Sequence, residues 1–258
     1  MCLNPRKGWI CSEFWTYATH GLPGQPYFEP FTQKKVVFSE QQTKFFANSY
    51  PVTIPCGHCI ECKKKYTSAW VLRCQAELKQ HKTACFLTLT YNKEHNPIVL
   101  VKKDFQDFMK RLREYLREHY GVFIRFFACG EYGSKKSRPH YHVIIFGWHP
   151  PDLRYFYTEK GIDIYLSDIV EKIWNKGFIT CGIDMSPKAL RYTVKYLQKS
   201  NSKSLPVHPI TGEIVKPFTL MSRRPGIGAN IENDENIYDI PTGKLYLDGQ
   251  TVPMPRWM

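Results

Sequence analysis

Two histidines on a strand-like run, directly behind a turn, constrain the fold more than any other feature. His140 and His142 lie in RPHYHVIIFG, and Glu131 precedes them in ACGEYG. Side chains alternate across a strand, so both imidazoles point to one side and Tyr141 points to the other. Residues 133 to 139 are rich in Gly, Ser and Lys, which predicts a hairpin that returns Glu131 to the pair. We expect a metal site of two histidines and one carboxylate.

The segments around this hairpin predict an α+β fold. CFLTLTY at residues 85 to 91 alternates like a strand, and residues 104 to 119 have helical spacing between Asp104 as N-cap and Gly121. The other expected elements are strands at 122 to 129, 139 to 147 and 178 to 185, and a short helix from Ser167 to Gly177. The order β-α-β-β-α-β is that of a ferredoxin-like (split βαβ) antiparallel sheet, in which the first and third strands are neighbours.

The outer segments divide the chain further. Residues 1 to 55 lack periodicity and are expected to form an irregular N-terminal arm. A Cys-rich knuckle and a basic helix are expected at 56 to 82, the core domain at 83 to 200, and a mostly irregular C-terminal extension at 201 to 258.

Composition limits the partners and the compartment. The chain has 36 Lys and Arg against 23 Asp and Glu, a formal charge of +13 that favours a polyanionic partner. No apolar run approaches the roughly 20 residues that span a bilayer, and there is no clear signal-peptide core, so we expect a soluble intracellular protein without a membrane partner. Nine cysteines, an odd number, favour thiols or metal ligands over a disulfide framework.

A tyrosine-bearing segment, ALRYTVKYLQKS at 189 to 200, has helical spacing. Tyr192, Lys195, Tyr196 and Lys199 share one face, opposite an apolar face that includes Leu190, Thr193, Val194 and Leu197. A tyrosine hydroxyl, with a reference pKa of about 10, attacks a phosphodiester only with the help of a cation, which the histidine site could hold. Lys195 or Lys199 could lower the tyrosine pKa or hold the phosphate. The alternative is an ordinary amphipathic helix with solvated lysines.

Other functions fit parts of the same pattern. Histidine pairs on strands are often ordinary hydrogen-bonded residues, and two histidines with a carboxylate also describe non-haem iron oxygenases. A noncatalytic RRM-like nucleic-acid-binding module has the same sheet plan, although no RNP1 pattern is recognisable. A metal-dependent oxidase leaves the positive charge and the tyrosine segment unexplained.

A second group of metal-ligand residue types lies in Cys56-x2-Cys59-x2-Cys62. Zinc sites usually collect four ligands, and Cys74 or His81 on the following helix is expected to complete a structural zinc site. Reduced, unmetallated thiols are the alternative.

Three ordered motifs resemble those of HUH endonucleases, specifically the rolling-circle replication initiators of gokushovirus-type single-stranded DNA phages. They are FLTLTY, GEYG followed by RPHYHVIIFG, and the Tyr-x-x-Lys-Tyr segment. The resemblance covers roughly residues 55 to 228 and includes MSRRPGIG at 221 to 228. One departure is Tyr141, an expected outward position where those initiators have an aliphatic residue.

The resemblance implies an activity and its residues. Tyr192 or Tyr196 would be the nucleophile, with a Mg or Mn ion on Glu131, His140 and His142. The enzyme would nick single-stranded origin DNA, hold the 5′ phosphate on tyrosine and rejoin strands. Thr88, Thr90, Arg223 and Arg224 are expected to contact DNA; for the arginines a solvated basic turn is the alternative. Host replication proteins would be further partners, in the cytoplasm of a bacterial host.

Overall fold

The chain divides into two compact units, Met1–Tyr66 (unit 1) and Thr67–Met258 (unit 2). The structure is a computed structural model. It describes residues 2–14, 35–44, 46–133, 137–186, 190, 194, 205–229, 238–239, 244–247 and 250–253.

Unit 1 contains a small antiparallel sheet. Its described elements are the strands β1 (Arg6–Phe14), β2 (Lys35–Val37) and β3 (Phe46–Ile54), and the short helix α1 (Glu40–Thr43). The strand order is β2-β1-β3, so the prediction of an irregular arm is wrong for these residues. Pro51 lies within β3, opposite Trp9 of β1. An edge strand tolerates a proline because half of its backbone N–H groups need no partner strand, and this proline hid β3 from the sequence pattern.

Helix α2 (Ile60–Lys79) begins in unit 1 and ends in unit 2. The remaining described elements of unit 2 follow in chain order: β4 (Ala84–Tyr91), α3 (Lys102–Tyr120), β5 (Arg125–Tyr132), β6 (Pro139–Phe146), β7 (Arg154–Glu159), β8 (Ile162–Leu166), α4 (Asp168–Trp174), β9 (Gly177–Gly182), β10 (Phe218–Met221), β11 (Tyr238–Asp239), β12 (Lys244–Leu247) and β13 (Gln250–Pro253). Within the described ranges, no helix is long and apolar enough to cross a membrane.

A large antiparallel sheet organises unit 2. Its described strands pair in the order β10-β5-β6-β4-β9-β8-β7, and β11, β12 and β13 form a separate sheet. The predicted α+β class is therefore confirmed, as is the expected adjacency of β4 and β6. The inner order β5-β6-β4-β9 agrees with a split βαβ plan, while the β7–β8 hairpin and β10 lie outside that plan. The ferredoxin-like assignment stays a prediction.

The ends of the helices follow local capping chemistry. Helix α3 ends at Gly121, whose φ of 62° is the left-handed conformation that glycine adopts easily. Its N-cap is Val101 and not Asp104, which instead accepts a hydrogen bond from the Tyr91 hydroxyl at 2.8 Å. The Ser167 side chain caps α4 as predicted, by accepting from the backbone N–H of Val170. That helix ends at Trp174, three residues before the predicted stop.

One face of the large sheet packs against α3 and α4. The fully buried side chains there include Leu87, Leu89 and Tyr141 from the sheet and Phe108 and Leu112 from α3. Apolar residues at helical spacing give α3 the buried stripe that the sequence predicts. Truncating one such leucine to alanine typically costs about 2–5 kcal/mol, so this layer fixes the sheet.

On the opposite face, the described residues form a second cluster toward one end of the strands. It joins side chains of α2 to those of the sheet and the later chain, namely Trp70, Val71, Cys74, Ala84, Phe127, Ile144, Phe146, Leu190, Val194 and Ile227. Ile144 and Phe146 belong to β6, so His140 and His142 stand on this same face toward the other end of the strand.

Candidate active site

The β5–β6 hairpin brings the predicted metal ligands together. Glu131 is the cross-strand partner of His140. Glu131 Oε1 lies 3.0 Å from His140 Nε2 and 3.4 Å from His142 Nε2. The three ligand atoms all lie within 4.8 Å of one another. Strand alternation and hairpin register thus produce the convergence that the sequence predicts.

The other ring nitrogen of each histidine has a partner that orients the imidazole. His140 Nδ1 donates to the backbone carbonyl of Arg138 at 3.1 Å, and because a carbonyl only accepts, Nε2 keeps its lone pair. His142 Nδ1 is hydrogen-bonded to Thr88 Oγ1 at 3.1 Å, and Phe86 stacks on the His142 ring at 5.3 Å. Such outer partners fix the tautomer and aim the metal-binding nitrogen. Both Nε2 atoms therefore face Glu131.

The carboxylate of Glu131 is buried and ionised. Its burial raises the pKa, but hydrogen bonds and positive charge from His140 and His142 outweigh that effect and lower the pKa to about 2. Within the described part of the chain, Glu131 Oε2 is buried without a hydrogen-bond partner. A buried carboxylate oxygen normally has one, and a divalent cation would satisfy it. Two imidazole nitrogens and one carboxylate oxygen are donors that suit such an ion.

Tyr141 lies on the other side of the same strand, and the expectation of an outward position is wrong. Its side chain is fully buried beneath α3, where its hydroxyl donates to Val101 O at 2.7 Å and contacts the Tyr91 hydroxyl at 2.7 Å. Burial raises the pKa of Tyr141 to about 12. The tyrosine is a hydrogen-bonded core residue, so it does not contribute to the histidine face.

The two predicted DNA-contacting threonines stand on the histidine face. Thr88 pairs with His142 across β4 and β6, and Thr90 pairs with His140. The hydrogen bond from Thr88 to His142 gives this threonine a role in orienting the imidazole, which the sequence alone did not indicate. On the next strand, Phe178 is the cross-strand partner of Thr90 and is 61% exposed. An exposed aromatic ring therefore lies on the same face as the site.

The predicted catalytic residues Tyr192, Lys195, Tyr196 and Lys199 lie outside the described residues. Two neighbours on the predicted apolar face, Leu190 and Val194, are described, and both are helical and buried in the cluster with Ile144 and Phe146. The backbone N–H of Leu190 donates to Ser186 O at 2.9 Å. The roles of the tyrosines and lysines stay predictions.

Arg223 and Arg224 lie on an exposed turn whose backbone is firmly held. Arg125 donates to the carbonyls of Pro225 and Gly226, both at 2.9 Å, and Arg73 donates to the carbonyl of Ile227 at 2.7 Å. These anchors leave the two arginine side chains directed by a fixed backbone. Their contact with DNA is not tested by the structure.

A buried carboxylate completes the anchor of this turn. Glu77 accepts from the backbone N–H of Gly228 at 2.8 Å and forms an ion pair with Arg125. Burial raises the pKa of Glu77, but the bonds from Arg125, Gly228 and His81 outweigh it and hold the pKa below its usual value. Sequence reasoning missed this network because its partners are up to 151 residues apart.

The cysteine knuckle gathers a different set from the predicted one. Cys56, Cys59 and Cys62 come together with Cys2, all within 4.8 Å. Cys74 is not the fourth member: it lies twelve residues after Cys62 on α2, about 18 Å along a helix that rises about 1.5 Å per residue. It is buried among Trp70 and Val71 in unit 2. His81, the other candidate, is bonded to Glu77.

An α+β domain with a histidine–histidine–glutamate site is the class that this geometry defines. Comparison with known proteins gives the family: a family model for the replication-associated protein ORF2 matches residues 84–201. The chain belongs to this family of replication-associated proteins. No solved structure matches the chain.

Three relatives from viruses of bacteria are similar to most of the chain or to its greater part. Replication-associated protein ORF2 of Spiroplasma virus 4 is 30% identical over 220 residues, 82% of this chain and 66% of that protein. Replication-associated protein VP4 of Bdellovibrio phage phiMH2K is 35% identical over 79% of this chain and 65% of its own length. Replication-associated protein ORF4 of Chlamydia phage 1 is 32% identical over 58% and 39%. The chain thus spans less than two thirds of the length of these relatives.

Proposed function

We propose that this chain initiates rolling-circle replication by nicking single-stranded origin DNA and later transferring or rejoining the strand. The observation that carries the proposal is the convergence of His140, His142 and Glu131 on one sheet face, in a member of a replication-associated family. The phenolic oxygen of Tyr192 or Tyr196 attacks the scissile phosphorus. A P–O bond forms to tyrosine, the P–O3′ bond breaks, and the 3′ oxygen leaves as a hydroxyl.

The histidine site serves this reaction as a cation holder. The Nε2 atoms of His140 and His142 and the Glu131 carboxylate would hold a Mg or Mn ion, which neutralises charge on the scissile phosphate when bound. The chain itself keeps the ligands ready. Thr88 and the Arg138 carbonyl orient the two rings, and burial keeps water from the Glu131 carboxylate.

The described neighbours of the tyrosine segment support its proposed orientation. Leu190 and Val194 are buried against the sheet, and residues two positions apart on a helix point about 200° apart. By that spacing Tyr192 and Tyr196 would point away from the apolar cluster. Lys195 and Lys199 would share their face, where an ammonium group stabilises phenolate or binds phosphate. A second tyrosine allows a second cut while the first remains attached to DNA.

The surface offers groups that would hold the substrate strand. Arg223 and Arg224 on the anchored turn would bind phosphates, which planar guanidinium groups do well. Phe178, exposed beside Thr90, would stack on a base. The formal charge of +13 supports a nucleic-acid partner.

The same exposed phenylalanine also favours the second candidate, a noncatalytic RRM-like module that stacks bases on its sheet. The two candidates differ in the fate of the DNA. Incubating the full chain with labelled single-stranded fragments tiled across the phage genome, with Mn or with chelator, separates them. A nickase yields a covalent adduct that survives denaturation and depends on the metal. A binding module yields a complex that denaturation dissolves completely, and that result would overturn the proposal.

A further inference from the structure

Four cysteine side chains in unit 1 lie at the spacing of a tetrahedral metal site. Cys2 Sγ is 3.8 Å from Cys59 Sγ, and Cys56 Sγ is 4.0 Å from Cys62 Sγ. These are free thiols, since a disulfide would need a separation of about 2.05 Å. A tetrahedral zinc ion with Zn–S bonds of about 2.3 Å holds its sulfurs about 3.8 Å apart. The observed separations therefore match a zinc site with four thiolates.

The local fold explains why residues 54 positions apart meet at this point. In the antiparallel pair of β1 and β3, Arg6 lies opposite Ile54, so the chain before β1 and the chain after β3 leave the sheet at the same end. Cys2 and Cys56 are placed there. Gly57 then adopts a φ of 77°, which turns the chain toward Cys59.

Backbone N–H groups are directed at the sulfurs. The N–H of Cys56 donates to Cys2 Sγ at 3.3 Å, and the N–H of Cys59 donates to Cys56 Sγ at 3.3 Å. Such bonds spread the negative charge that a set of thiolates carries and orient the ligands, as outer partners do in metal sites. The adjacent His58 is exposed and lies outside the cluster.

We propose that Cys2, Cys56, Cys59 and Cys62 bind one zinc ion, and that this ion is required for the fold of unit 1. Four thiolates fill a tetrahedral coordination shell and leave no position for water, so the role is structural. The described hydrophobic cluster of unit 1 is small: Cys11, Val37 and Phe46, with Trp9 packed against them. Small domains with little core generally need a metal or another cross-link.

The first test measures the metal and its ligands in the full chain. Protein purified without chelator is expected to contain about one zinc per chain. Replacing it with cobalt should give the thiolate-to-cobalt charge-transfer and tetrahedral d–d absorption of four sulfur ligands. The His140→Ala/His142→Ala variant should keep this spectrum, which separates the knuckle from the histidine site. Purified protein that contains no zinc and yields no such cobalt spectrum would overturn the proposal.

A pair of variants then identifies the fourth ligand. Cys2→Ser should weaken zinc binding by more than about a hundredfold, since loss of an outer partner alone costs about 10- to 100-fold. The matched control Cys74→Ser should bind zinc like the wild type, and Cys2→His should restore much of the affinity, because histidine is also a zinc ligand. Wild-type zinc affinity in Cys2→Ser would overturn the assignment.

The last arm tests the structural role without any variant. Stripping the metal from wild-type protein should raise hydrogen exchange in β1 and β3 and expose Cys2, Cys56, Cys59 and Cys62 to maleimide, mapped by mass spectrometry. Exchange in the β4–β6 sheet of unit 2 should not change. Unaltered exchange in β1 and β3 after complete zinc removal would contradict the structural role.

Discussion

At the scale of the residue, the chemistry of the site depends on which nitrogen each imidazole leaves for a ligand. His140 and His142 use Nδ1 for Arg138 O and Thr88 Oγ1, so both Nε2 atoms face the Glu131 carboxylate. The convergence of the three ligands could be predicted, because strand alternation and a short hairpin fix it. The role of Thr88 could not, since it depends on a hydrogen bond between residues 54 positions apart.

The histidine pair is predicted to serve catalysis and not DNA affinity. His140→Ala/His142→Ala should lower the nicking rate by at least about a thousandfold, the scale of losing transition-state charge stabilisation. DNA affinity should stay within about threefold, because phosphate contacts are distributed over the surface. Single-turnover nicking and filter binding measure the two effects. Full nicking by this variant with divalent metal present would exclude the proposed site.

Thr88 is predicted to act through His142. Thr88→Val keeps the shape of the side chain but removes the oxygen at Nδ1, so the metal concentration for half-maximal nicking should rise by about 10- to 100-fold. Excess metal should restore most of the rate. The control is Thr180→Val, since Thr180 pairs with Thr88 on the side away from β6. Equal effects of the two substitutions would contradict an orienting role.

At the scale of the element, apolar periodicity predicts the buried stripe of α3 and the alternation of β4 and β6. It fails where the local signal is ambiguous or long-range. Pro51 hid β3 because proline is a strand breaker except at an edge. The β7–β8 hairpin is mostly exposed, so it lacks the apolar alternation by which strands are recognised. Cys2 could not be predicted as a ligand because only the β1–β3 pairing brings it to the knuckle.

Glu77 is predicted to stabilise unit 2 by anchoring the 222–229 turn. The Glu77 and Arg125 side chains are only 2% and 22% exposed, so Glu77→Gln should lower the free energy of unfolding by about 2–3 kcal/mol. Glu114→Gln, in an exposed pair with Arg117, should cost less than about 0.5 kcal/mol. Because the pKa of Glu77 is lowered by folding, its contribution is present at neutral pH and is lost as the pH falls through that lowered pKa. Urea denaturation across the acid range measures this, and a Glu77→Gln deficit that persists at low pH would contradict it.

Arg223 and Arg224 are predicted to bind DNA phosphates. Arg223→Ala/Arg224→Ala should reduce the slope of log affinity against log salt by about 1.4, or about 0.7 for each single-strand phosphate contact. Lys110→Ala/Arg117→Ala removes the same charge from α3, which covers the opposite face of the sheet, and should change the slope by less than half as much. Fluorescence anisotropy at several salt concentrations gives these slopes. Indistinguishable slopes for the two double variants would favour a merely solvated turn.

At the scale of the whole molecule, three features act together. The formal charge of +13 attracts a polyanion, the large sheet presents the histidine site and Phe178 on one face, and the family is that of replication-associated proteins. Charge and motif order could be predicted from the sequence because both are local properties of the chain. Metal-assisted attack by tyrosine on origin DNA is the function that uses all three.

The most direct test of that claim is mass spectrometry of the covalent adduct between the full chain and single-stranded origin DNA. The nucleotide should be found on Tyr192 or Tyr196, with Tyr192 expected for the first cut. Tyr192→Phe/Tyr196→Phe preserves nearly all ring packing but removes both attacking oxygens, so this variant should fold and bind DNA yet form no adduct. An adduct on any other residue, or normal adduct formation by the double variant, would contradict the proposed mechanism.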